Sequence, residues 1–450
     1  SIGDQALYND SSLATITLNE GLKTIGNEVF WNNSGILRFT IPGTVTSIGS
    51  NSFYGCTNVS YLIFSDGDEN LKINNNSCRS SIIEAQTSNS NYRNRNYDYF
   101  FDCPVRFLTL GRNLVYEYDD NASMYDLDGT SWTRVYRASA PFVNKKELRS
   151  VTIRPKVRFL YHHLLNGCSN IARLTFVPAL ETVYSYALAN CTGLKDLDLS
   201  TGLKTVGNYG FYNCPLLTTL SFPEPFVSLG SYGCAGNTAL RDVVFKEESG
   251  NNLSMTLETY AFANCPSITA LVFPAKTSSI GNYCFYNTPY IVDVKFVDSN
   301  RPLTLGYGAK ADGSMGTYTD SSMPLFGNSR LQKLYIGRNI DYTASSGNGY
   351  SPFYQQTLLT DVTFSQAGTV TYCKDYLLYN VSACENLNLP ESITELGKYT
   401  FAGMTALKGI FIPTKVSWLK EGLFAEDVNI PEIIIHPAVT KMDSKLFANC

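Results

Sequence analysis

Twelve cysteines and three histidines are the side chains in this 450-residue sequence that most readily suggest nucleophilic or metal chemistry. The cysteines come no nearer to one another than Cys373 and Cys384, so no C-x-x-C pair exists for zinc or for thiol–disulfide exchange. Six of them, Cys56, Cys168, Cys191, Cys214, Cys265 and Cys450, instead close one recurring phrase, read as "VGNYGFYNCP" at 206–215 and echoed as "IGNYCFYNTP" at 280–289. A catalytic thiol needs a base within hydrogen-bond reach, and three histidines cannot serve six such sites. His162 and His163 are adjacent, and neighbours on a strand point apart, which argues against shared metal ligation. Asp66, Asp68 and Glu69 in "DGDEN" supply too few oxygens at the spacing of a calcium loop. "GYGAKADGSMG" at 306–316 has neither of the phosphate-loop glycine spacings. No Ser-His-Asp arrangement and no carboxylate pair can be picked out by spacing. The residues therefore point to no catalytic group, no cofactor and no metal, and the cysteines read as buried, reduced structural thiols.

Bulk properties narrow the field further. Hydrophobic residues make up 44% and charged residues 16% of the chain, which suits a packed protein rather than a disordered one. The formal net charge is −4 with no long basic run, which counts against nucleic acid as a partner. No apolar stretch is long enough to be a transmembrane segment. Tyr and Phe are abundant, at 30 and 25, against three Trp.

What positions the cysteines is a repeat of about 23 residues. Its opening apolar residue recurs at Ile2, Ile25, Ile48, Leu160, Val183, Val206, Leu229, Leu257, Ile280, Cys373, Leu396, Leu419 and Met442. A large apolar residue follows five places later, as at Phe30, Phe53, Phe211 and Phe285, and the cysteine eight places later. Next comes an LxxLxL triplet, with sixteen copies from Leu13/Ile16/Leu18 to Ile430/Ile433/Ile435. The last two triplet members are two apart, so each copy predicts one short strand with a buried and an outward side. One copy buries too few side chains to offset the entropy of ordering its backbone, so copies must stack. The expected architecture is a leucine-rich-repeat solenoid, α/β or mainly β. It has a curved parallel sheet on its concave face and turns and short helical segments on its convex face. Residues 1–450 read as a single domain of about sixteen strands.

The beat breaks near 65–99, 111–147, 297–325 and 337–355, and the breaks are duplicated. "FYGCTNVSYLIFSDGDENLKI" at 53 parallels "FYNTPYIVDVKFVDSNRPLTL" at 285, and Phe100 and Gly111 align with Phe326 and Gly337. A block of 210–230 residues thus reads as copied whole. The breaks are rich in Asn, Ser, Gly and Tyr, a loop composition. Their tyrosines Tyr97, Tyr116, Tyr118, Tyr318, Tyr342 and Tyr350 are candidate contact residues. The outward strand residues form the other candidate surface: Arg38, Tyr61, Phe107, Arg149, Arg173, Asp196, Asp198, Asp242 and Asp293. Their order predicts a face running from basic to acidic. Ile2 opens a repeat and Cys450 stops inside one, so the chain reads as part of a longer protein, with its signal and anchor elsewhere.

The pattern I-G-x-x-x-F-x-x-C followed by L-x-x-L-x-L-P resembles the BspA-like leucine-rich repeats (Treponema-type, LRR_5 class) over nearly the whole chain. The resemblance implies a bacterial protein at the cell surface or secreted into the extracellular space. It also implies a role in adhesion to extracellular matrix or host surface proteins. An envelope glycan or polysaccharide binder and a passive structural spacer are the alternative expectations. None of the three is an enzyme.

Overall fold

A computed structural model describes residues 1–74, 100, 103–128, 131–247, 252–308, 324–327, 329–345 and 350–450. The chain divides into two compact units, 1–217 and 218–450. In both, the triplets become parallel strands. In the first unit Arg38–Ile41, Tyr61–Phe64, Phe107–Leu110 and Ser150–Ile153 pair side by side in that order, and Arg173–Thr175 pairs with Asp196–Asp198. In the second, Thr219–Phe222 pairs with Asp242–Phe245, and Ala270–Phe273, Asp293–Phe296, Lys333–Ile336 and Asp361–Phe364 form one ladder. Alternation explains them: Arg38–Ile41 and Asp242–Phe245 each run exposed, buried, exposed, buried. The first triplet, Leu13/Ile16/Leu18, forms no strand, and Leu387 makes a single bridge to Ile410.

The other half of the repeat corrects the expectation. Among the described residues it contains turns but no helical segment. It contains a second parallel ladder, carried by the residue that opens each repeat. Thr24–Ile25, Ser47–Ile48, Leu71–Ile73 and Leu114–Tyr116 pair in the first unit. Ser228–Leu229, Met255–Leu257, Thr277–Ile280, Leu303–Leu305 and Ile340–Asp341 pair in the second. Strands this short show no alternation in sequence, and a helical reading has nothing to contradict it. The second ladder also runs into all four breaks, through Leu71–Ile73, Leu114–Tyr116, Leu303–Leu305 and Ile340–Asp341. Beyond it, the break at 111–147 holds an antiparallel hairpin, Asp119–Asp128 with Ser131–Ser139.

Between the ladders runs a spine of phenylalanines. Phe30, Phe53, Phe100 and Phe142 follow one another with centroids 5.4, 5.1 and 5.2 Å apart. Phe262, Phe285, Phe326 and Phe353 do the same at 6.3, 5.3 and 5.6 Å. Each such ring removed from water contributes about 1.5–3 kcal/mol. Two positions per repeat adopt left-handed backbone. One is usually Asn or Gly, as at Asn190 (φ 57°), Asn213 (φ 53°) and Gly167 (φ 76°), which tolerate it. The other is usually tyrosine, as at Tyr186 (φ 58°), Tyr209 (φ 56°) and Tyr376 (φ 65°). Its strain is offset by ring stacking between successive repeats, 4.5 Å for Tyr186–Tyr209 and 5.3 Å for Tyr376–Tyr399.

Candidate interaction surface

The first unit's outward sheet face brings three of the expected residues together. Strand register places Arg38 beside Tyr61, Tyr61 beside Phe107 and Phe107 beside Ser150. The spacing of about 4.8 Å between paired strands is also a ring-stacking distance. Tyr61 and Phe107 accordingly lie 4.7 Å apart at an interplanar angle of 10°, and the Arg38 guanidinium sits 4.8 Å from the Tyr61 centroid. Phe107 remains 40% exposed, with only the small Ser150 on its far side. Arg149 is exposed one position before Ser150. The result is a cation, a ring and a second ring in line on a rigid sheet.

The expected run from basic to acidic is replaced by local pairs. Arg173 Nε and Nη2 donate to Asp196 Oδ2 at 3.2 and 3.0 Å, and Thr175 donates to Asp198 Oδ2 at 3.1 Å. Asp242 accepts from Arg241 Nε at 3.3 Å, and half-buried Asp293 lies in register with Lys333, which is in turn beside Asp361. Arg173–Asp196 and Asp293–Lys333–Asp361 put opposite charges on facing residues of neighbouring strands, while Arg241–Asp242 pairs along the chain, and such exposed pairs are worth about 0–1 kcal/mol each. Except at Asp196 and Asp198, the sequence reading took only one outward residue per strand. The next outward place holds Lys295 and Tyr335, with the ammonium 4.9 Å from the ring and the Tyr335 hydroxyl donating to Asp298 at 2.8 Å. Counting two residues onward along each strand would have found them.

The break tyrosines separate. Tyr116 is buried, its hydroxyl donating to the His162 carbonyl at 2.9 Å, so it is a core residue of the second ladder and no contact residue. Tyr342 is half-buried with its hydroxyl donating to the Asp375 carbonyl at 2.8 Å, and burial pushes that hydroxyl's pKa well up. Tyr118 is exposed and stacks on His162 at 4.1 Å. Tyr350 is half-buried and packs on Tyr376 at 5.1 Å. Tyr97 and Tyr318 lie outside the described residues.

The repeat cysteines form hydrogen-bonded rungs. Each thiol donates to the carbonyl of the large apolar residue one repeat earlier: Cys56 to Phe30 at 3.1 Å, Cys168 to Phe142 at 3.0 Å, Cys191 to Leu165 at 3.2 Å and Cys214 to Leu188 at 3.3 Å. Cys265 donates to the Cys234 carbonyl at 3.2 Å. Asn33, Lys145 and Gln356 stand at the same place and donate the same way, to Leu7, Phe100 and Phe326. Burial pushes Cys214 and Cys265 up to about 12, which leaves no thiolate for chemistry. Cys450 makes the same bond to Phe424, at 3.1 Å, but is exposed. In "DGDEN", Asp66 pairs with Arg154 at 3.5 Å and Asp68 with Lys156. Among the described residues no group of His, Cys, Asp and Glu is arranged to hold a metal, and no helix is long and apolar enough to cross a membrane.

Two parallel ladders per repeat, a phenylalanine spine and one polar rung per turn define a leucine-rich-repeat protein. The chain belongs to the BspA type leucine-rich repeat family, whose profile matches residues 1–114, 138–254, 255–304 and 322–450. Among solved structures it is similar to a leucine-rich repeat protein from Bacteroides ovatus (16% identity, 74% of this chain and 91% of that one, TM-score 0.43). It is also similar to a leucine-rich cell surface protein from Faecalibacterium prausnitzii (16% identity, 97% and 89%, TM-score 0.30). A third is the pneumococcal vaccine antigen PcpA (14% identity, 73% and 87%, TM-score 0.29). No curated protein matches the chain.

Proposed function

We propose that this chain is a non-enzymatic bacterial protein, displayed at the cell surface or secreted, that binds host or extracellular-matrix proteins through the outward face of its first unit. The observation that carries this reading is the Arg38–Tyr61–Phe107 row. In the first unit the corresponding places otherwise hold Ser150, Arg173 and Asp196, polar side chains that cost little to leave in water. A phenylalanine left 40% exposed beside a stacked tyrosine and an arginine is the composition of a protein-binding hot spot. Parallel strands hold all three without a flexible loop, so little side-chain entropy remains to be lost on binding. Family membership supports the setting. The test is solid-phase binding of the purified chain to fibronectin, fibrinogen, laminin and mucin. Saturable binding to at least one of them, lost on Phe107→Ser, supports the reading. Binding that survives Phe107→Ser with undiminished affinity removes this face from it.

A further inference from the structure

The second unit contains a cleft of about 340 Å³ that none of the roles above uses. Its floor is apolar, formed by Ile280, Leu305 and Pro352, and two tyrosine rings, Tyr307 and Tyr342, border it. Five hydroxyl-bearing residues line it as well: Thr259, Ser279, Thr304, Thr343 and Ser351. Asn282 adds an amide whose Oδ1 accepts the Tyr307 N–H at 3.2 Å, leaving Nδ2 as a donor. The Tyr342 and Ser351 hydroxyls are already committed to the Asp375 and Leu377 carbonyls, at 2.8 and 3.2 Å, so both residues are fixed in place. Among the described residues no Asp, Glu, Lys, Arg or His lines the cleft.

We propose that this cleft is a binding site for a neutral saccharide. The volume lies at the small end of ligand pockets, enough for one or two sugar rings. The lining offers groups that can both donate and accept, which is what a ring of hydroxyls requires. Apolar and aromatic surface beneath them suits the C–H face of a pyranose. The absence of a cation disfavours phosphates and sugar acids, and the absence of a carboxylate cluster disfavours metal ions and amines. This site is independent of the protein-binding face proposed above.

The first unit supplies an internal comparison. The duplication places Lys72 where the second unit has Thr304, and Glu117 where it has Thr343. The structure supports the match: Ser47 pairs with Lys72 in register as Ser279 pairs with Thr304. The copied scaffold has thus kept its ladder and changed the charge of this place. Each charged residue is already accommodated in the equivalent backbone, so Thr304→Lys and Thr343→Glu are expected to fold.

The experiment is saturation-transfer NMR and calorimetric titration of the full chain with galactose, N-acetylglucosamine, maltose and lactose, beside glucuronate and inorganic phosphate. At least one neutral sugar is expected to bind saturably, with Thr304→Lys and Thr343→Glu each weakening it tenfold or more at unchanged melting temperature. If one variant melts early, the other decides. The proposal is overturned if no neutral sugar binds, if glucuronate or phosphate binds as well as the sugars, or if a stably folded variant binds as tightly as wild type.

Discussion

Arg112 and Arg338 do the same job in their respective units, at the same places of the duplicated sequence. Arg112 donates to the carbonyls of Pro42, Gly43 and Val45, and Arg338 to those of Pro274, Ala275 and Thr277. Both are essentially inaccessible, at 1% and 0% exposure. The residue that follows is matched as well. Asn113 Oδ1 accepts the N–H groups of Arg158 and Phe159, and Asn339 Oδ1 those of Thr371 and Tyr372. Each G-R-N segment begins a break in the repeat. Its arginine satisfies turn carbonyls two long strands back, and its asparagine holds the strand that resumes after the break.

Replacing Arg338 should therefore be among the most damaging single changes in the second unit. Arg338→Ala leaves several buried carbonyls without donors, at about 1–3 kcal/mol for each group orphaned. Arg338→Lys recovers only part of this, because an ammonium cannot reproduce the fork. Guanidinium denaturation should rank wild type above Lys and Lys above Ala. Equal midpoints for Lys and wild type would contradict the assigned role.

Asp427 occupies the rung position where other repeats place a donor, and it is a buried carboxyl. Oδ1 accepts the Met404 N–H at 2.7 Å, Oδ2 has no partner among the described residues, and burial pushes its pKa up to about 8, far above the usual carboxylate range. Below about pH 4 both folded and unfolded states hold the proton, so the group does not favour unfolding. Between about pH 4 and about pH 8 only the folded state holds it, so stability falls as pH rises. Asp427→Asn keeps the acceptor and adds the donor that Asn33 uses. Its advantage over wild type should be small at pH 4 and grow to on the order of 2–5 kcal/mol at pH 8. Melting temperatures across that range check this, and a gap that does not widen with pH would refute it.

At Tyr376, with φ at 65°, glycine should be tolerated better than alanine. Both variants lose the stack on Tyr399, and alanine keeps the left-handed strain. Tyr376→Gly should exceed Tyr376→Ala in stability by about 1 kcal/mol, the reverse of the usual order. Thermal unfolding of the two variants side by side is sufficient to tell.

The rung thiols should be silent in the native protein. A thiol reagent at pH 8 is expected to label Cys450 quickly and to leave Cys168, Cys191, Cys214 and Cys265 unlabelled until denaturant is added, as mass spectrometry of peptides would show. Rapid native labelling of Cys191 would mean that its turn opens.

The period and the triplets were legible in the sequence because they bury a side chain at every repeat. The rung cysteines were legible as structural for the same reason. The second ladder was not, since two residues such as Ser47–Ile48 carry no alternation. Tyr116 was misplaced because a break in one half of the repeat hid the continuing half. That Arg38, Tyr61 and Phe107 point outward followed from strand parity, but that they form one row needed the register. The pairing of Arg173 with Asp196 needed the register, which a list of outward residues does not contain. The cleft was invisible because its lining comes from residues 259 to 352, whose approach depends on stacking.

The most direct test of the account is surface plasmon resonance of fibronectin and fibrinogen over three immobilised chains: wild type, Tyr61→Ser/Phe107→Ser, and Lys295→Ser/Tyr335→Ser. The account predicts saturable binding to wild type and to the second double variant. It also predicts at least a tenfold loss for Tyr61→Ser/Phe107→Ser, with melting temperatures little changed by loss of one exposed and one half-buried ring. Equal binding by all three chains, or by none, would contradict the claim that the first unit's aromatic row is a protein-binding face.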